Sequence, residues 1–265
     1  MGEVMAMQEQ FGDVSVSNDG QVAVIEIRRP PHNHVSTVLV RDLADALTRI
    51  DVDPELRCSV LQTEGKSFCA GADFPNLGDT GQLGMEAARQ LYVEAVRLFS
   101  ANKPIVAVVQ GAAIGAGLGL ALMADFRIAA PEAHFSADFV KLGYHPGFGI
   151  THTLPRIVGN QKALLMCLTG RRIEAQEALE WQLVDEIVPL DQLRAAGLKL
   201  AHEIAENAPL AVVSTRATLR SGLAAAVKAQ SDLESTEQAK LRGTDDFAEG
   251  VRALRERRAG HYTGR

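Results

Sequence analysis

Pro104-Ile-Val-Ala-Val-Val-Gln-Gly-Ala-Ala-Ile-Gly-Ala-Gly-Leu-Gly-Leu-Ala-Leu-Met-Ala-Asp125 is the stretch on which the fold turns. From Ile105 to Ala124 only Gln110 interrupts the apolar run, and Gly115 and Gly119 make a GxxxG pair, so a membrane span is the first reading to test. The internal order of the run argues against it. Pro104 opens it, the β-branched residues Ile105, Val106, Val108 and Val109 fill its first third, and a glycine cluster separates them from a Leu/Ala/Met stretch. That order predicts a buried strand over Pro104 to Val109, a tight turn, and a buried helix over Gly117 to Met123.

Outward from this unit the same alternation recurs. Gln21 to Arg28 reads as a strand, and Ser36 is placed to cap a helix carrying Leu39, Leu43, Leu47 and Ile50 on one face. Arg57 to Gln62 reads as a further strand and Gly84 to Asn102 as a long helix. Strand followed by helix implies a largely parallel sheet with crossover helices, an α/β fold. From Leu190 the pattern turns helical: Leu190 to Ala208, Leu210 to Lys228, Asp232 to Lys240 and Asp246 to Arg255. The expected organisation is a loose tail over 1–11, a core over 12–189 and a helical subdomain over 190–265. The last has more apolar positions than a unit of its size can bury, so it should pack on something.

Composition narrows the function classes. The formal net charge of −6, from 27 basic and 33 acidic residues without a basic block, makes nucleic acid an unexpected partner. Cys58, Cys69 and Cys167 form no CxxC pair and leave an odd count, which speaks for a reducing cytoplasm over a disulfide framework. Met1 to Phe11 lacks the charge and apolar pattern of a signal peptide. The histidines show no HExxH and no carboxylate at ligand spacing, so no metal is expected.

Two segments carry the chemistry: Lys66-Ser-Phe-Cys-Ala-Gly-Ala-Asp73 and Gly111-Ala-Ala-Ile-Gly-Ala-Gly-Leu-Gly119. Small residues where a strand runs into a helix let backbone N–H groups approach a ligand and favour negative charge. Two such clusters can form an oxyanion hole. The plain alternative is a close-packed corner that needs glycine only for space. A dinucleotide fingerprint fails on spacing, because its third glycine would fall at Leu120.

Together these segments resemble the crotonase (enoyl-CoA hydratase/isomerase) superfamily. The resemblance runs through Arg29-Pro-Pro-His-Asn33, Phe68-Cys-Ala-Gly-Ala-Asp73, Gly111 to Asp125, Ala133-His-Phe135, Gly143-Tyr-His-Pro-Gly147, Leu168-Thr-Gly170 with Ala175, and Glu249-Gly-Val-Arg-Ala253 with Arg257-Arg258. It implies a spiral of ββα units with a helical C-terminal oligomerisation subdomain, assembled as a trimer or hexamer. It also implies an acyl-CoA ligand, with coenzyme A as part of the substrate and no permanently bound cofactor. The oxyanion-hole donors map to the backbone N–H groups of Ala72 and Ala116. Ala70, Gly71, Asp73, Phe74, Gly115, Gly119 and Phe139 are the implied substrate-binding positions.

One departure matters. In the hydratases a glutamate follows the helix-starting glycines and a second lies further on; here Gly119 and Phe139 stand at those positions. Neither moves a proton, so efficient two-glutamate hydration is not expected, nor is the isomerase that relies on the second glutamate. On this reading Gly119 makes the acyl pocket roomier and Phe139 makes it more apolar. His145 is the candidate replacement for proton transfer, because imidazole matches neutral pH and dihydroxynaphthoyl-CoA synthase and dienoyl-CoA isomerase carry aspartates where Pro146 and Gly147 stand. The alternative for His145 is a hydrogen bond to the backbone of its own turn. Asp138, beside Phe139, is expected to point the other way by extended alternation. His34 faces either the adenine side of the ligand or solvent, Asp73 caps a turn, and Tyr92 and His152 are packing or surface residues. Two functions stay open: an acyl-CoA lyase, isomerase or hydrolase, and a non-catalytic acyl-CoA carrier or sensor.

Overall fold

A computed structural model describes residues 8–73 and 82–265. The chain opens with strands β1 (Gln8–Phe11), β2 (Val14–Asp19) and β3 (Val22–Ile27), followed by α1 (Thr37–Val52), β4 (Cys58–Thr63), α2 (Gln82–Leu98), β5 (Ile105–Val109), β6 (Ala112–Ile114), α3 (Ala116–Leu122), β7 (Phe126–Ala129) and β8 (His134–Ser136). After a 3-10 turn at Asp138–Leu142 come α4 (Ile150–Val158), α5 (Asn160–Thr169), β9 (Arg172–Glu174), α6 (Ala175–Glu180), β10 (Glu186–Ile187), α7 (Leu193–Ala205), α8 (Pro209–Leu219), α9 (Leu223–Leu241) and α10 (Asp245–Glu256).

The large sheet runs β1-β2-β3-β4-β5-β7-β10, antiparallel over its first three strands and parallel from β3 onward. All five residues of β5 are buried, which explains its unbroken β-branched character: both faces of a central parallel strand are covered. On one face lie Leu39, Leu43, Leu47 and Ile50 of α1, whose start is capped by Ser36 Oγ accepting the Leu39 N–H at 3.2 Å. On the other, Leu193 and Ala201 of α7 pack on Val22, Val60, Val106 and Val108. A second sheet, β6-β8-β9, stands beside the first.

Three details differ from the sequence-based expectation. Gln8–Phe11 are not a tail but a strand registered on Val14–Ser17, closed by a turn at Gly12 with positive φ; its alternation of exposed and half-buried residues is that of an edge strand. The apolar run 105–124 holds a second strand, β6, between the first strand and the helix. The helix expected over Leu210 to Lys228 is broken at Gly222, which takes φ +76°, and a new helix, α9, starts there and continues through Asp232 to Lys240. Among the described residues no helix is long and apolar enough to cross a membrane.

Helix α9 positions the site. Glu234, Gln238 and Arg242, each four residues apart and buried, form one stripe that grips the loop after the 3-10 turn. Glu234 accepts the N–H groups of Gly149 at 2.7 Å and Thr151 at 2.9 Å, Gln238 Nε2 donates to the His145 carbonyl at 2.8 Å, and Arg242 Nε donates to Tyr144 Oη at 2.8 Å.

Candidate active site

Two isolated parallel bridges bring the small-residue segments together: Val35 with Ala72, and Cys69 with Ala113. In the first, the Val35 N–H donates to the Gly71 carbonyl at 2.9 Å and the Asp73 N–H to the Val35 carbonyl at 2.7 Å. Strand alternation therefore turns the N–H of Ala72 itself to the opposite side, where Ala72 lines a cavity of about 560 Å³. In the second, Cys69 pairs with Ala112 and Ile114, which carries the chain to Gly115 at the start of α3. Gly115 takes φ +53° and ψ −117° and donates its N–H to the Ser136 carbonyl at 2.9 Å. Ala116 is the first residue of α3, so its N–H is one of the donors that a helix start leaves without an intrahelical acceptor. Ala72 and Ala116 line the same cavity.

Ala70, Gly71, Asp73, Gly115 and Phe139 also line it; Phe74 lies outside the described residues. The apolar walls are Leu91, Tyr92, Ile114, Phe139, Leu142, Tyr144 and Phe148, and the polar groups are His34, Asp73, Asp138, Lys141 and Arg258. Asp73 Oδ2 accepts from Arg29 Nη2 at 3.1 Å, a tie across the loop; the turn that Asp73 was expected to cap lies outside the described residues. Arg258, from beyond α10, is held by Glu249 and Glu256.

Three side-chain placements bear on the expectations from sequence. Gly119 is fully buried and does not line the cavity. A Cβ there would come within 2.6 Å of Phe148 Cδ1, so Phe148 fills the room that the glycine leaves. His145 is half-buried outside the cavity lining, and its Nδ1 lies 2.7 Å from the Pro146 carbonyl, within its own turn. Asp138, expected to face away from Phe139, lines the cavity with it: its Oδ1 lies 3.6 Å, and Phe139 Cζ 3.7 Å, from the position of a Cβ on Gly115. The reason is local. Residues 138–142 form a 3-10 turn, in which successive side chains diverge by about 120° and not by the 180° of a strand.

Burial raises the Asp138 carboxyl above its ordinary range, against the opposing pull of its own backbone N–H, Lys141 and Arg172. Tyr144 is likewise raised by burial, against Arg242. The sequence carried one usable signal for Asp138: a carboxylate adjacent to a position implied to face the ligand. Reading that segment as extended hid it. Among the described residues no group of three or more histidines, cysteines or carboxylates could hold a metal ion.

A family model described as enoyl-CoA hydratase/isomerase matches residues 17–265. A probable enoyl-CoA hydratase of Mycobacterium tuberculosis is 39% identical over 233 residues, covering 87% of this chain and 89% of its own length. The 1,2-epoxyphenylacetyl-CoA isomerase of Escherichia coli is 32% identical over 250 residues, covering 92% and 95%. Among solved structures, an enoyl-CoA hydratase/isomerase from Pseudoalteromonas atlantica superposes with a TM-score of 0.84 at 32% identity, over 95% of this chain and all of that one.

Proposed function

The chain belongs to the enoyl-CoA hydratase/isomerase family, and from that premise we propose that it is an enzyme of the isomerase or lyase class that moves a proton on the acyl group of a coenzyme A thioester. The thioester oxygen sits between the N–H groups of Ala72 and Ala116. Asp138 carries the proton. As a carboxylate it takes a proton from the acyl chain; the C–H electron pair moves into the thioester, and the charge arrives on the oxygen held by the two amides. Preorganised donors in a dry site are worth several kcal/mol to such an enolate, about 3–4 for each donor removed. The neutral Asp138 then returns the proton at a second carbon, or delivers it to a departing group. Its raised pKa suits both halves of this cycle: the neutral form tolerates the nearby enolate oxygen, where a charge would repel it.

The single observation that carries the reading is the convergence of Ala72, Ala116 and Asp138 on one cavity. It also favours an enzyme over an acyl-CoA carrier, for which a titratable carboxyl beside the carbonyl site has no use. Two-glutamate hydration is not part of the proposal, because Gly119 and Phe139 offer no proton-transferring group. The test is a panel of saturated, enoyl, β-hydroxy and aromatic acyl-CoAs, read by thermal shift and by turnover, on the wild type and Asp138→Asn. Ligands should raise the melting temperature of both proteins. Asp138→Asn should lower kcat on the responding substrate by roughly 10²–10⁴. A null thermal shift across the panel at millimolar concentration would remove acyl-CoA as the ligand, and full turnover by Asp138→Asn would remove the proton carrier.

A further inference from the structure

Tyr92, on α2, belongs to two hollows. On one side its ring lines the 560 Å³ cavity; on the other it lines a groove of about 280 Å³ between α2 and α9, together with Arg89, Val93, Val96, Lys228 and Ser231. The ring is buried, 6% exposed, so it acts as a wall between the two spaces and not as a surface residue. It is also held in place. Tyr92 Oη donates to Gln238 Oε1 at 2.9 Å, and Gln238 is itself fixed by donating to the His145 carbonyl at 2.8 Å. A Cβ at Gly147 would overlap the Tyr92 hydroxyl, so the loop is glycine where the tyrosine crosses it.

Leu91 and Phe148 line the cavity with Tyr92, and Phe148 follows directly on Gly147, where a Cβ would meet the Tyr92 hydroxyl. An acyl chain with its thioester at Ala72 and Ala116 has this ring among the apolar walls of the same cavity, with the second hollow on the ring's other side. We propose that Tyr92 is the specificity-determining residue for acyl length: it closes the acyl end of the cavity, and the α2–α9 groove behind it is the space a longer chain would occupy were the ring removed. The proposal rests on the acyl-CoA reading above and adds to it a limit on acyl length set at one residue.

The physical expectation is quantitative. Each methylene that gains apolar cover multiplies affinity by about four. In the wild type, the affinity of saturated acyl-CoAs should climb with chain length and then stop climbing or fall. Removing the ring should let the climb continue.

The experiment measures dissociation constants for saturated acyl-CoAs from butyryl to myristoyl, which cannot undergo the enoyl chemistry, on the wild type, Tyr92→Ala, Tyr92→Leu and Tyr92→Phe. Tyr92→Ala should raise the myristoyl-to-butyryl affinity ratio at least tenfold, and Tyr92→Leu should raise it by less. Tyr92→Phe keeps the ring and should keep the wild-type limit. Should Tyr92→Ala fail to melt cooperatively, Tyr92→Leu carries the test, since it preserves an apolar side chain of middle size. An unchanged ratio in a folded small-residue variant overturns the assignment of Tyr92 while leaving the ligand class standing. Absence of butyryl-CoA binding by the wild type itself would instead bring down the acyl-CoA reading and this inference with it.

Discussion

Phe148 occupies the space that a side chain at position 119 would need: its Cδ1, Cβ and Cγ lie 2.6, 2.8 and 2.8 Å from a Cβ built on Gly119. Both residues are buried, and Phe148 is among the largest side chains with almost no exposure. Restoring a hydratase-like carboxylate by Gly119→Glu is therefore a packing problem before it is a chemical one. Overpacking costs about 1–3 kcal/mol, and a buried, unpartnered carboxyl adds to it. Gly119→Glu should lower unfolding free energy by more than about 3 kcal/mol in a denaturant titration and should gain no crotonyl-CoA hydration. Gly119→Glu combined with Phe148→Ala should recover part of that loss. A stable, hydrating single variant would contradict the contact.

Glu234 supplies a pH signature of stability. Burial raises its pKa above the ordinary 4.5, and the donors from Thr151 and Gly149 reduce that rise without cancelling it. A folded-state pKa above the unfolded one means that the native state binds more protons between the two values, so this group's contribution falls as pH rises through that window. Glu234→Gln should remove this slope. It should also cost about 1–3 kcal/mol at neutral pH, because the new NH2 must face a backbone N–H, of Gly149 or of Thr151, that the carboxylate accepted. Asp138 and Asp42 are raised as well, so the comparison is the difference between wild type and variant over pH 4 to 7. Parallel curves would show that Glu234 is not the group responsible.

Helix α8 points to assembly. None of its described residues is buried, and Leu210 and Leu219 are 85% and 75% exposed. The helix is tied to its own chain through Arg216, which bonds Asp125 at 2.8 Å and the Ala101 carbonyl, while Leu210 and Leu219 stay an uncovered apolar surface. We expect a trimer or a hexamer in light scattering at micromolar concentration, and a smaller species for Leu210→Asp with Leu219→Asp. A wild-type mass of 28.5 kDa would rule the assembly out.

How far the sequence reached depended on which kind of periodicity carried the information. The strand-helix alternation and the parallel sheet were legible because Ile105–Val109 and the Leu39, Leu43, Leu47, Ile50 stripe repeat with the periods of buried elements. Asp138 was missed because five residues in a 3-10 turn leave too short a pattern to separate from a strand. The fate of Gly119 was illegible for a different reason. Whether a missing side chain leaves a hollow or admits a neighbour depends on where Phe148 falls in space, and no local pattern encodes that. His145 looked reactive by type and by loop, yet its partner is the carbonyl of the next residue.

The last prediction separates Asp138 from His145 through pH. Asp138 must be ionised to take a proton, and burial has raised its pKa, so kcat/KM should fall as pH drops through a value above the 3.8 of an ordinary aspartate. Asp138→Asn should abolish this acid limb together with most of the turnover; Asp138→Glu, which keeps a carboxyl but lengthens its reach, should restore part of the rate and shift the limb. His145→Gln should do neither. Its ring contacts its own turn, and its backbone carbonyl, which Gln238 holds, survives the substitution. Turnover in His145→Gln should stay within about threefold of the wild type and stability within about 1 kcal/mol. Measured profiles of kcat/KM from pH 4 to 9 for these proteins decide the matter. An acid limb that persists in Asp138→Asn and disappears in His145→Gln would transfer the proton-carrying role to the histidine and show that its turn rearranges around the ligand.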